Sequence, residues 1–143
     1  MTTIVFRGGV FAADSQINNG GFIEGYCEKI VKVGDKYIGS AGPFIACTEF
    51  EKFMRGEEFD KEVFKGEYGK GFEALVVDAA SKKVSTYTSL TEEVFTADFY
   101  ALGSGCMLAK GAMLMGANAE QAVEQAIKLD TRSGGKIQVI KVW

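Results

Sequence analysis

Met1-Thr2-Thr3-Ile4-Val5-Phe6 opens the chain. The run is uncharged, β-branched and apolar, and it reads as a strand that starts at the very first residues. Most domains leave their first residues loose. A chain that begins as a strand instead sets its N-terminus inside the fold. Removal of Met1 would leave Thr2 carrying a hydroxyl and a free α-amino group on one residue. Thr2 is therefore the first candidate nucleophile.

Composition narrows the chemistry around it. With 143 residues, 47% of them hydrophobic, the chain suits one globular domain spanning 1–143. No apolar run approaches the ~20 residues of a membrane span. The N-terminus lacks a basic region followed by an apolar one, so no signal peptide is expected. A net charge of −3 gives no electrostatic footprint for nucleic acid or an anionic membrane. Cys27, Cys47 and Cys106 form no CxxC pair, which fits a reducing, cytoplasmic setting.

The decisive count is zero histidines. It excludes Ser-His-Asp and Cys-His catalysis, both of which use imidazole as the base. It also removes the usual histidine-containing zinc and iron sites, and hydrolysis by a hydroxyl and an amine requires no cofactor. A base must come from Lys, Asp, Glu, Tyr, Cys or an N-terminal amine. A free α-amine titrates near ~7.7–8.0, close to the best value for a base at neutral pH.

From the first strand outward, Arg7-Gly8-Gly9 makes a tight turn and residues 10–14 return as a strand ending at Asp14. A hairpin of this length brings Asp14 back towards the N-terminus. Asn18-Asn19-Gly20-Gly21 signals a loop. Residues 29–33 and 36–42 read as paired strands around Gly34-Asp35. Pro43 suits the first turn of a helix, and Phe44, Cys47, Phe50, Phe53 and Met54 recur at helical spacing. Residues 55–68 are charged and irregular, a solvated connection with room for one helical turn. Strands follow at 71–78 and 84–88, then an acidic turn at Glu92-Glu93, then a strand at 99–102. Gly103-Ser104-Gly105 leads into a helix over 106–115. Asn118 and Gln121 make a capping-box pattern for a helix reaching Leu129. A polar loop over 130–135 precedes the last strand, 137–143. Two antiparallel sheets with helices on their outer faces would bury every apolar face in this α+β order.

These residues carry a resemblance. Thr2-Thr3-Ile4-Val5, Ala13-Asp14-Ser15-Gln16, Lys29-Ile30, Gly39-Ser40-Ala41-Gly42, Gly103-Ser104-Gly105 and Asp130-x-x-Ser133-Gly134-Gly135 occur in this order. Together they look like the proteasome β-subunit family, including the bacterial ATP-dependent peptidase HslV, over almost the whole chain. The resemblance implies an N-terminal nucleophile hydrolase with a four-layer αββα sandwich. It implies threonine-type hydrolysis of peptides or unfolded proteins by Thr2 after loss of Met1, inside a homo-oligomeric ring, with an ATPase unfoldase as a possible partner. Asp14 and Lys29 match the family's aspartate and lysine beside the nucleophile. Gly39 matches the oxyanion glycine, Ser104 the serine of the Gly-Ser-Gly loop, and Asp130 and Ser133 the supporting segment.

Residue by residue, plainer roles stand beside these. Asp14 and Lys29 also fit a structural ion pair, Gly39 and Gly42 turn glycines, Ser104 a helix cap, and Asp130 and Ser133 loop formers. Cys27 and Cys47 read as packing residues. Family members carry a second long helix before the strand at Leu75, whereas the glycine-broken stretch 55–70 is too short for one, so a shortened helical layer is expected. Two other functions stay open: an amidohydrolase of a small-molecule amide, and an inactive assembly subunit that keeps the fold alone. No propeptide beyond Met1 is expected. With Met1 attached, the Thr2 nitrogen is an amide and cannot act as a base.

Overall fold

The computed structural model describes residues 2–143. The expectation about Met1 therefore lies outside the described residues. The N-terminal strand is β1, Ile4–Arg7. Gly8 and Gly9 both take positive φ, 59° and 78°, the backbone of a type I′ hairpin turn, and the chain returns as β2, Val10–Ala13. Then come β3, Gln16–Asn19, and β4, Phe22–Tyr26. These two strands pair across Gly20-Gly21, so a hairpin stands where a loop was expected. β5, Ile30–Val33, and β6, Lys36–Ala41, follow. The first helix, α1, covers Phe44–Met54, with Pro43 as its N-cap rather than inside its first turn.

Two single turns of 3₁₀ helix, Lys61–Phe64 and Glu67–Gly69, occupy the charged connection. β7 is Glu73–Asp78, β8 is Val84–Thr88 and β9 is Thr91–Val94. Glu92 and Glu93 thus lie in a strand, not a turn. The reversal falls a few residues earlier, where Ser89 takes φ 57°. An edge strand accommodates the acidic pair because its outer side faces water, and Tyr87 Oη donates to Glu92 Oε2 at 3.2 Å. The rest of the chain gives β10, Phe99–Leu102, α2, Cys106–Leu114, α3, Ala119–Leu129, and β11, Gln138–Lys141.

The strands form two antiparallel sheets, β10-β1-β2-β11 and β5-β6-β7-β8-β9, with β3-β4 as a separate hairpin. Side-chain alternation along β1 sorts the layers. Ile4 and Phe6 face the second sheet and pack with Phe11, Ala13, Ile30, Leu75, Val77 and Leu102. Val5 faces the other way, onto Ala12, Ala101 and the α2–α3 pair at Ala109, Met113, Val123 and Ala126. On the far side of the second sheet, Ile38, Ala74 and Val76 meet Phe50 of α1 together with Val63, Phe64 and Phe72. The result is helices, sheet, sheet, helix. The α1 layer holds one helix and the two 3₁₀ turns, in line with the short helical layer expected.

This topology gathers one end of the sandwich. Ile4 pairs with Ala13 and with Leu102, and Ala13 pairs with Gln138. The residues just before β1, just after β2, just after β10 and just before β11 therefore meet at the same edge.

Candidate active site

Thr2 precedes β1 at that edge and is 5% exposed. Lys29, at the entrance to β5, donates from Nζ to Thr2 Oγ1 at 3.0 Å. The same ammonium lies 3.0 Å from Asp14 Oδ1, with side-chain exposures of 7% and 0% for the two partners. An ion pair this enclosed is costly unless its remaining lone pairs are filled. They are: Asp14 Oδ1 accepts the Thr3 N–H at 2.9 Å, and Oδ2 accepts the N–H groups of Gly134 at 3.0 Å and Gln16 at 3.2 Å. Asp14 thus fixes the N-terminal backbone and Lys29 together.

A second chain of hydrogen bonds holds the other side. The Thr2 N–H donates to Ser104 Oγ at 3.1 Å, and the Ser104 hydroxyl donates to Asp130 Oδ2 at 2.7 Å. Ser133 Oγ donates to the same oxygen at 2.6 Å. Ser133 Oγ and Thr3 Oγ1 are 2.7 Å apart. Because the Ser133 proton is committed to the carboxylate, Thr3 is the donor of that pair. Burial would raise the Asp130 carboxyl. The hydrogen bonds from Ser133 and Ser104 and from the Arg132 N–H outweigh it and hold the group below the ordinary aspartate range. Asp130 is the hub that ties the α3 terminus to the loop after β10. Gly105 has to be glycine here, since a Cβ would lie 2.0 Å from Thr3 Oγ1.

Six of the seven residues singled out in the sequence meet in this constellation. Gly39 does not. It sits inside β6, paired with Ile30 and Leu75 on either side, where main-chain groups serve the ladders. Its missing Cβ points into the core, 2.9 Å from Ile4 Cγ2 and 3.0 Å from the Phe11 ring. Packing therefore accounts for this glycine. Gly42, three residues on, has left the strand with φ 122° and lines the cavity beside Thr2.

That cavity has a volume of about 210 Å³ and adjoins Thr2, Lys29 and one face of α1 from Phe44 to Glu51. Ile17 and Asn18 of the unforeseen hairpin form part of its wall, as do Cys27 and Cys47. The two cysteines are wall residues, not only packing. Burial, more than the neighbouring Glu51 charge, pushes the Cys47 thiol up to about 12, so it is no nucleophile at neutral pH. Thr3, Gln16 and Gly134 were missed as supports, because main-chain donors leave no mark in a sequence. Among the described residues, no group of three His, Cys, Asp or Glu side chains is placed to hold a metal.

No family profile matches the sequence, and no curated protein matches it. Solved structures do match. BPH from Thiobacillus denitrificans superposes with a TM-score of 0.72 at 22% identity, over 99% of this chain and 98% of that one. The same protein solved in complex with epoxomicin gives the same values. Eukaryotic HslV from Trypanosoma brucei superposes with a TM-score of 0.68 at 20% identity, over 97% of both chains. Two packed antiparallel sheets between helical layers, matched end to end by these structures, give this chain the proteasome- and HslV-like N-terminal nucleophile hydrolase fold.

Proposed function

We propose that the chain is a threonine peptidase whose nucleophile is Thr2, made competent by loss of Met1. The observation that carries this reading is the buried Asp14–Lys29 pair aimed at a hydroxyl, with Nζ 3.0 Å from Thr2 Oγ1. A structural ion pair has no need of a threonine beside an open cavity. In the processed chain the Thr2 nitrogen is an amine, and it takes the hydroxyl proton directly or through one water. The Lys29 ammonium stabilises the alkoxide as Oγ1 attacks the peptide carbonyl. The Gly42 N–H is the proposed donor to the resulting oxyanion, in place of Gly39. The α-ammonium returns the proton to the departing amine as the C–N bond breaks. Water then hydrolyses the Thr2 ester and frees the hydroxyl for another cycle.

The Thiobacillus neighbour was solved in complex with epoxomicin, which supports a ligand-binding role for this fold. Likeness to HslV supports a homo-oligomeric ring acting on unfolded chains, with an ATPase as the candidate partner. Three free thiols favour a cytoplasmic setting. No helix among the described residues is long and apolar enough to cross a membrane.

The test is direct. Protein shown by intact mass to lack Met1 is compared with its Thr2→Ala variant on unstructured fluorogenic peptides. Hydrolysis lost in the variant supports the proposal, and equal hydrolysis by both proteins overturns it.

A further inference from the structure

The cavity beside Thr2 carries a charge that the hydrolytic steps do not use. One face of α1 lines it, through Phe44, Cys47, Thr48 and Glu51. These positions fall at i, i+3, i+4 and i+7, one stripe of a helix. Phe44 stands at the rim, 71% exposed. Glu51 lies two turns along, about 10 Å further down the axis at 1.5 Å per residue. The rest of the lining combines apolar or weakly polar side chains, Ile17, Cys27, Pro43 and Cys47, with polar ones that include Asn18 and Ser40. Lys29, the one cation of the lining among the described residues, is already balanced by Asp14 at 3.0 Å. Glu28 adds a second carboxylate to the lining. The cavity is thus a mostly apolar slot whose lining carries two carboxylates, Glu28 and Glu51, the latter on the α1 wall.

We infer that this slot selects a long basic side chain, lysine or arginine, at the residue preceding the bond to be cleaved, with Glu51 as the specificity-determining carboxylate. The inference rests on Thr2 being the nucleophile and adds the substrate class. A lysine or arginine stem matches the apolar wall while its charged head reaches the far carboxylate. Arg55 now occupies Glu51, with its Nη1 3.4 Å from Glu51 Oε2 and the side chains 44% and 30% exposed. A pair that open is worth little, so a substrate cation held inside the slot displaces it. The nearby Glu51 charge is also one of the influences that keep the Cys47 thiol protonated, after burial.

The experiment uses Met1-free protein and matched peptides that differ only at that residue: arginine, leucine or glutamate. Arginine is expected to exceed leucine in kcat/KM by about tenfold or more. In Glu51→Gln the arginine-to-leucine ratio should collapse towards one, and in Glu51→Lys glutamate should overtake arginine. A wild-type preference for leucine, or an arginine preference that survives Glu51→Gln, overturns the inference while Thr2-dependent hydrolysis stands. If no peptide is cleaved, the nucleophile assignment fails. The same peptides are then titrated against the Thr2→Ala chain, where tighter binding of arginine than leucine, lost on adding Glu51→Gln, upholds the slot. Equal affinity overturns it.

Discussion

Lys29 has two partners, and removing it should have two separable effects. In Lys29→Met the Thr2 hydroxyl loses its cation, and peptide hydrolysis is expected to fall by a factor of about 10² or more. Asp14, 0% exposed, keeps its three N–H donors but loses its counter-charge, at a cost of about 3–5 kcal/mol in denaturant unfolding. Adding Asp14→Asn removes the stranded charge. The double variant should regain part of the stability and none of the activity. If activity returned with stability, Lys29 would be structural only.

Asp130 makes a pH prediction. Its carboxyl is held below the ordinary range in the folded chain. The unfolded chain therefore binds a proton there at higher pH than the folded chain does. The contribution is complete above about pH 4, the unfolded value, and is lost as pH falls through the lower folded value. Thermal melts between pH 6 and pH 3 should show this loss, and Asp130→Asn should flatten that part of the curve. An unchanged slope would mean that the carboxyl contributes nothing to folding.

At the level of elements, β6 carries the instructive difference. Gly39-Ser40-Ala41-Gly42 holds two glycines, and the sequence alone does not say which one leaves the sheet. That depends on where pairing with β7 stops, at Ala41, a tertiary fact. Gly39→Ala is expected to overpack the contact with Ile4 and Phe11 and to cost about 1–3 kcal/mol. A Gly39→Ala protein of normal stability but without activity would return the oxyanion role to Gly39. The α3 cap was legible because its chemistry is local. Asn118 Oδ1 accepts the Gln121 N–H at 2.8 Å, and Gln121 Oε1 accepts the Asn118 N–H at 3.0 Å. Asn118→Ala should cost about 1 kcal/mol. By contrast, β9 was hidden because its acidic residues suit an edge strand only once β8 is beside them. The cavity role of Cys27 and Cys47 was hidden because small apolar side chains look alike in a wall and in a core. Thr2, Asp14, Lys29, Ser104, Asp130 and Ser133 were readable because each sits in a short motif at a strand or helix end.

At the scale of the whole molecule, large apolar side chains stand in solvent on two surfaces. Phe22, Ile23 and Tyr26 project from β4, and Met107, Leu114 and Met115 lie along and just beyond α2, Met115 at 90% exposure. Patches of this kind mark contact surfaces, in keeping with the proposed ring. Light scattering is expected to give a mass several times 15.5 kDa. A strict monomer at micromolar concentration would argue against the ring.

Two threonines follow Met1, yet only one faces the cavity. Thr2 turns its hydroxyl to Lys29 and the cavity, whereas Thr3, 0% exposed, turns its hydroxyl to Ser133. Parity separates them, because neighbouring residues of an extended chain face opposite ways. Sliding β1 by one position to compensate would send Ile4 and Phe6 out of the inter-sheet core. β1 is also pinned by β2 and β10 on both sides. Trimming one residue too far would therefore give an inert protein, not a shifted enzyme. A chain that begins at Thr3 would still display an N-terminal threonine, and its amine would meet the Asp14 carboxylate. It is expected to fold and to cleave nothing, which intact mass and a peptide assay on one sample would show.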